Sequence, residues 1–254
     1  SRKGYPNPIV VDVGCGFLNA VGLPNPGVKD FVEEIRSVKS KGEILVIASL
    51  YGGSAGEYAE AARIIGDSGV DAVELNLSCP NVKEVGMEVG KDPCLVGEIV
   101  RAVKQSVSIP VFTKLTSNIS DIKEIAKTAE FAGSDALVAI NTVRAMAIDV
   151  ETGRPILSNK IGGLSGPAIK TISLRCVYEI AQVVDIPIIG CGGVTTWKDA
   201  IEFMLAGASA IQMGTAIAYK DVSVFKEVTD GISQYLERKG HKSLKEIVGL
   251  SQRF

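Results

Sequence analysis

At 254 residues, with a formal charge of −2 and 46% hydrophobic side chains, the chain is long enough for one α/β barrel or two small domains. It is too apolar for a disordered segment and too nearly neutral for a nucleic-acid or anionic-membrane partner to be expected. It contains no run of ~18 apolar residues, so no membrane span is predicted.

Residues 9–13 are a short apolar run closed by Gly14-Cys15-Gly16. Residues 17–27 follow as a Gly- and Pro-punctuated loop, unusually apolar for a surface connection, either lining a pocket or merely connecting. Residues 28–39 have helical spacing, with Val28, Phe31, Ile35 and Val38 on one face. From there strands alternate with helices. Strands are predicted at 44–49, 72–77, 109–115, 136–141, 186–190 and 208–213. The helices between and after them are 55–68, 92–107, 120–133, 166–184, 196–206 and 222–239. Pro93 suits a first helical position, Ser120 or Asp121 a cap, and Gly207 a stop. Residues 142–165 read as a long loop holding a hairpin between 147–150 and 155–157.

Apolar strands in such a series predict an α/β fold whose parallel sheet is covered on both faces. Two consecutive strand ends are rich in glycine: Gly190-Cys191-Gly192-Gly193-Val194, then Gly214-Thr215-Ala216. That pair matches the phosphate site which (βα)8 barrels build after strands seven and eight, where backbone N–H groups can hold a dianion. The alternative is that these glycines only make tight turns. A closed barrel needs eight strands. If the glycines mark the last two, the first two strand–helix units are absent, and the expectation is a TIM barrel missing its opening, as one domain over 1–254. Otherwise 9–13 is a barrel strand in an irregular fold. The opening Ser1-Arg2-Lys3-Gly4-Tyr5-Pro6 lacks Met and lacks the apolar core of a signal peptide, so a missing natural start is expected.

The five cysteines are Cys15, Cys79, Cys94, Cys176 and Cys191. An odd count without C-x-x-C pairs argues against a disulfide framework, an iron–sulfur cluster or a zinc site within the chain, and for a reducing, cytoplasmic setting. The single histidine, His241, lies in a polar stretch and is expected to be solvated. A His-based triad or multi-His metal site is thereby excluded. Proton transfer falls to Cys, Lys, Tyr or a carboxylate. The stretch Ala72-Val73-Glu74-Leu75-Asn76-Leu77-Ser78-Cys79-Pro80-Asn81 concentrates such chemistry. It is a buried strand whose C-terminal end, where parallel α/β proteins bind ligands, carries a thiol flanked by carboxamides. The competing account makes Cys79 a small buried hydrophobe and the asparagines turn formers.

Asn76-Leu77-Ser78-Cys79-Pro80-Asn81 resembles the signature of class 1 dihydroorotate dehydrogenases. So do Leu18-Asn19-Ala20-Val21-Gly22-Leu23-Pro24-Asn25-Pro26-Gly27, Lys114-Leu115, Ile140-Asn141-Thr142, Gly162-Gly163-Leu164-Ser165-Gly166-Pro167-Ala168-Ile169-Lys170 and Gly190-Cys191-Gly192-Gly193, in order along the chain. The resemblance implies a (βα)8 barrel that binds FMN and oxidises (S)-dihydroorotate to orotate in pyrimidine synthesis. By it, Cys79 is the base that removes the C5 proton. Asn19, Asn76, Asn81, Asn141 and Thr142 hold the pyrimidine, with the backbone of Gly22 and Leu23 at its carboxylate. Asn76, Lys114 and Ile140 contact the flavin, Lys114 as the cation near its N1–C2 edge. Gly166, Gly192, Gly193, Gly214 and Thr215 cradle the phosphate and ribityl chain.

The glycine segments resemble most the subgroup that pairs with a second subunit carrying FAD and a [2Fe–2S] cluster and reduces NAD, as a homodimer or heterotetramer. Fumarate and quinone remain open as acceptors. The sequence departs from the family in three places: the family's opening stretch is absent, residues 82–90, a lid candidate, differ from the subgroup pattern, and Thr171 stands where Pro is expected. The competing assignments are a dihydropyrimidine dehydrogenase-like barrel, a non-redox phosphate-binding isomerase or aldolase, and a non-enzymatic fragment.

Overall fold

A computed structural model describes residues 1–77 and 89–254. In chain order its elements begin with β1 (Val10–Asp12), β2 (Phe17–Asn19), α1 (Val28–Lys39), β3 (Ile47–Leu50), α2 (Ala55–Gly66) and β4 (Ala72–Asn76). Next come α3 (Pro93–Ser106), β5 (Val111–Leu115), α4 (Ile122–Phe131), β6 (Ala136–Ala139), β7 (Val143–Met146), β8 (Ile148–Asp149), β9 (Arg154–Pro155) and β10 (Ile161–Ser165). The last are α5 (Lys170–Ile180), β11 (Ile188–Cys191), α6 (Trp197–Ala206), β12 (Ala210–Gln212), α7 (Ala216–Lys220) and α8 (Ser223–Lys239). The chain divides into two compact units. All six predicted strand–helix alternations are present.

The first unit comprises Ser1–Gly4 with Gly22–Leu137. Its strands run in the order β6-β5-β4-β3, with β3, β4 and β5 parallel. Four of the five β4 residues are buried, as a strand covered on both faces requires. The helices start where side-chain caps stand ready. Ser54 accepts from Glu57 N, Asp121 from Lys123 N, and Asp92 from Cys94 N and Leu95 N ahead of Pro93.

One device recurs where the strands begin. Asp71, just before β4, accepts from Val46 N at 2.6 Å and from Lys39 Nζ at 2.8 Å. Asp135, just before β6, accepts from Val111 N and Lys104 Nζ, each at 2.7 Å. Each carboxylate ties a helix cation to the entry of the neighbouring strand. The hydrogen bonds from Lys39 and Val46 hold the Asp71 carboxyl below the usual carboxylate range. Carboxylates at strand starts stabilise the fold, which leaves the opposite strand ends for chemistry.

The second unit comprises Tyr5–Val21 with Val138–Phe254. It contains the strand order β12-β11-β6, a four-stranded sheet β1-β2-β10-β7, and the hairpin β8–β9. The four-stranded sheet is antiparallel throughout, with Leu18 fully buried at its centre. Between α6, α8 and the C-terminal residues, Ile201, Met204 and Ile247 form a core against Trp197, Tyr235 and Leu236. Gly231 of α8 lies against Trp197, whose ring a Cβ would overlap at 2.3 Å.

Several boundaries differ from the sequence expectation. Residues 17–19, 143–146 and 161–165 are strands, not loop. The helix expected over 166–184 starts only at Lys170, because Gly166 takes φ +90° and Pro167–Ile169 forms a single 3₁₀ turn, and it ends at Ile180. The hairpin is β8–β9, shorter than predicted. His241, expected to be solvated, keeps 26% side-chain exposure with Nδ1 3.2 Å from Glu246. It is folded back there by left-handed Gly240 at the end of α8. Among the described residues no helix is long and apolar enough to cross a membrane, and Cys15, Cys94, Cys176 and Cys191 are free thiols.

Candidate active site

The expected site residues fall into two groups, one in each unit. In the first unit, parallel register sets Asn76 opposite Lys114 at the ends of β4 and β5. The Lys114 ammonium lies 3.3 Å from Glu74 Oε1, with side-chain exposures of 17% and 6%. A carboxylate this deeply buried requires a paired charge or several hydrogen bonds. Tyr58, itself buried, donates to Asn76 O at 2.8 Å and fixes the strand end from below. Just beyond, Leu77 O accepts from Gly90 N at 2.8 Å. Cys79, Asn81 and the lid candidate up to residue 88 lie outside the described residues.

Gly22 and Leu23 both have left-handed backbones, at φ +81° and +54°. For leucine this conformation costs about 1–3 kcal/mol, so something must hold it. Asn25 Nδ2 donates to Leu23 O at 2.8 Å and to Tyr51 Oη at 2.9 Å, and Asn25 Oδ1 accepts from Gly27 N. The carboxamide braces the turn that the resemblance places at the substrate carboxylate.

In the second unit, Asn19 and Thr142 converge on Gly163. Register puts Asn19 opposite Gly163 across β2 and β10, and Asn19 Nδ2 donates to Gly163 O at 3.1 Å. Thr142 lies on the Gly163 backbone so closely that a Cβ there would stand 2.0 Å from Thr142 Oγ1. Asn141 Oδ1 accepts from Thr142 N at 2.7 Å. Ile140 is buried, and its N–H donates to Cys191 O at 2.7 Å.

The glycines form a second cluster. A Cβ on Gly166 would meet Thr215 Cγ2 at 3.1 Å, and Thr215 Oγ1 donates to Ser165 Oγ at 2.8 Å. Gly192 and Gly193 have φ +123° and +79° and press on Ser173 and Lys170, so no side chain fits there. Beside Gly214 there is open space where a Cβ would be. Lys170 cannot serve the cradle as a free cation, because its ammonium lies 2.8 Å from Glu202 and 2.9 Å from Asp199. These two carboxylates raise its pKa above the usual lysine value. An anion here would meet main-chain N–H groups and hydroxyls, which fits a flavin phosphate.

The sequence singled out Asn19, Thr142, Lys114 and the glycines, but not Gly163, Glu74 or Asp199 as contributors. A carboxylate inside an otherwise apolar strand could have flagged Glu74, and the capping-box spacing Thr196-x-x-Asp199 could have flagged Asp199.

A family model described as "Dihydroorotate dehydrogenase" matches residues 1–236. The catalytic subunit of dihydroorotate dehydrogenase B (NAD(+)) from Pyrococcus abyssi is 54% identical over 250 residues, covering 98% of this chain and 83% of the relative. The Pyrococcus furiosus protein of the same name is 54% identical over 252 residues, covering 99% and 83%. That of Methanosarcina acetivorans is 48% identical over 250 residues, covering 98% and 80%. Neither the dihydropyrimidine dehydrogenase-like assignment nor the non-redox one is favoured by these matches. The chain belongs to the dihydroorotate dehydrogenase family, whose members are FMN-dependent oxidoreductases.

Proposed function

We propose that this chain is the FMN-binding catalytic subunit of an NAD-linked dihydroorotate dehydrogenase, a single domain over 1–254 whose six parallel strands belong to a barrel of the TIM type, working in the cytoplasm. It oxidises (S)-dihydroorotate to orotate. The observation that carries this is the 54% identity, over 98% of the chain, to a subunit bearing that name. FMN, when bound, supplies the acceptor for the hydride that leaves C6. Cys79, as thiolate, would take the proton from C5 and become a thiol, and with the hydride from C6 this accounts for both hydrogens and the two electrons lost as the C5–C6 double bond forms. A thiol of reference pKa ~8.5 needs modest stabilisation of its thiolate to act near neutrality, and Asn76 and Asn81 flank Cys79 in sequence.

Asn19, Asn76, Asn81, Asn141 and Thr142 recognise the pyrimidine ring, whose edge alternates acceptors and donors as carboxamides do. The backbone of Gly22 and Leu23 receives the substrate carboxylate. Lys114 balances negative charge that develops on the flavin, and Asn76 and Ile140 also contact the cofactor. Gly166, Gly192, Gly193, Gly214 and Thr215 hold the phosphate and ribityl chain. Electrons leave to NAD through a second subunit carrying FAD and a [2Fe–2S] cluster, in a heterotetramer or around a homodimer. The test is a spectrum. The purified protein should be yellow and bleach anaerobically with dihydroorotate, and it should bind orotate far better than uracil. A protein that stays colourless with added FMN overturns the proposal.

A further inference from the structure

We infer that Asp199 is a positioning residue for the cofactor phosphate, a carboxylate clamp that holds the Gly192–Gly193 turn in its binding shape without touching the ligand. The inference rests on the flavin assignment above.

One oxygen of Asp199, Oδ2, accepts four hydrogen bonds from the loop that follows the glycines. They come from Thr195 N at 3.0 Å, Thr195 Oγ1 at 3.1 Å, Thr196 N at 2.8 Å and Thr196 Oγ1 at 2.9 Å. The other oxygen, Oδ1, takes Lys170 Nζ at 2.9 Å. Lys170 opens α5, and its backbone is the surface on which Gly193 rests, within 2.8 Å of where a Cβ would be. The turn is thus held on both sides, by the first residue of α5 and by the first turn of α6, and one carboxylate joins the two. Thr196 and Asp199 complete a reciprocal capping box, which accounts for only one of the five contacts, the bond from Thr196 N; its other half is Asp199 N donating to Thr196 Oγ1 at 3.3 Å. The bonds from Thr195 and Lys170 reach beyond what a helix cap needs.

The arrangement also commits a lysine to carboxylates of the chain itself. A cation four residues after Gly166 would be the ordinary candidate for a phosphate contact. Here it is spent on Asp199 and Glu202. The cradle therefore works through backbone dipoles whose directions must be fixed, and fixing them falls to Asp199.

Deflavinated protein is titrated with FMN and, separately, with riboflavin, which lacks the phosphate, each followed by quenching of flavin fluorescence. Asp199→Asn should lower FMN affinity at least tenfold and riboflavin affinity less than twofold, so the ratio of the two falls. Thr195→Val, which deletes one of the four bonds, should lower the ratio in the same direction by about threefold. It also serves if Asp199→Asn does not fold. Equal losses for both flavins, or an unchanged ratio in Thr195→Val, overturn the clamp while leaving the flavin assignment intact. A wild-type protein that binds neither flavin overturns the assignment and the clamp together.

Discussion

The Lys114–Glu74 pair gives the sharpest quantitative test. Lys114→Met keeps the length and apolar stem of the side chain but removes the ammonium that lies 3.3 Å from Glu74. At that separation the gross attraction is about 5 kcal/mol for an effective dielectric of ~20. Most of it only offsets the desolvation of the two charges. The asymmetry of exposure decides what remains. Glu74, at 6% side-chain exposure, is the more deeply buried of the two, and Lys114, at 17%, is nearer to water. Lys114→Met should therefore destabilise by about 2–4 kcal/mol, toward the range for a buried ion pair broken at one side, and Glu74→Gln by about 1–2 kcal/mol. The double variant should be less unstable than the two losses added, with a coupling of ~1 kcal/mol or more. Urea unfolding of the flavin-free protein, followed by far-UV circular dichroism, reads this without recourse to activity. A Lys114→Met midpoint equal to wild type, or strict additivity in the double variant, would refute the pairing as an energetic unit.

Three further outcomes are expected. Cys79→Ser should slow flavin reduction by dihydroorotate by roughly 100-fold or more at neutral pH, in anaerobic stopped flow, while orotate affinity changes little; reduction at the wild-type rate would remove Cys79 from its role. Gly163→Ala places a Cβ 2.0 Å from Thr142 Oγ1, an overlap of the kind that costs about 1–3 kcal/mol; orotate binding by calorimetry should weaken about tenfold, and unchanged binding would detach Thr142 from the substrate. For Asp199, burial alone would raise the pKa, but the bonds from Lys170, Thr195 and Thr196 outweigh it and the folded-state value is lowered. Its stabilisation is then fully present above the unfolded value of ~3.9 and lost as pH falls through the lower folded value. Unfolding midpoints measured from pH 5 downward should fall more steeply for wild type than for Asp199→Asn, and parallel curves would refute the assignment.

What the sequence made legible were features whose cause is local. Apolar runs of five or six residues between capped helices announce parallel strands, and Asp92-Pro93, Asp121 and Thr196 mark helix starts because a cap satisfies N–H groups only two or three residues away. The glycines after β11 and β12 were legible for a similar reason: positive φ at Gly192 and Gly193 is a requirement on single residues. The four-stranded antiparallel sheet was not. Its strands β1 and β2 are three residues each, too short to show a period, and β10 contains two adjacent glycines that read as a loop.

Those glycines are strand residues for a reason invisible along the chain. Cβ atoms on Gly162 and Gly163 would stand 2.4 Å from Asn19 O and 2.0 Å from Thr142 Oγ1, and Asn19 precedes its partner Gly163 by 144 positions. The same distinction separates Lys114, conspicuous as a charge at a strand end, from Glu74, whose pairing depends on the neighbouring strand's register. In this chain the residues proposed to face ligand are distinguished by chemical type and can be read directly. Those that hold them in place are distinguished by what touches them across the fold. Glu74, Gly163 and Asp199 are of that second kind, which is why substitutions there should shift affinity and stability while leaving every motif intact.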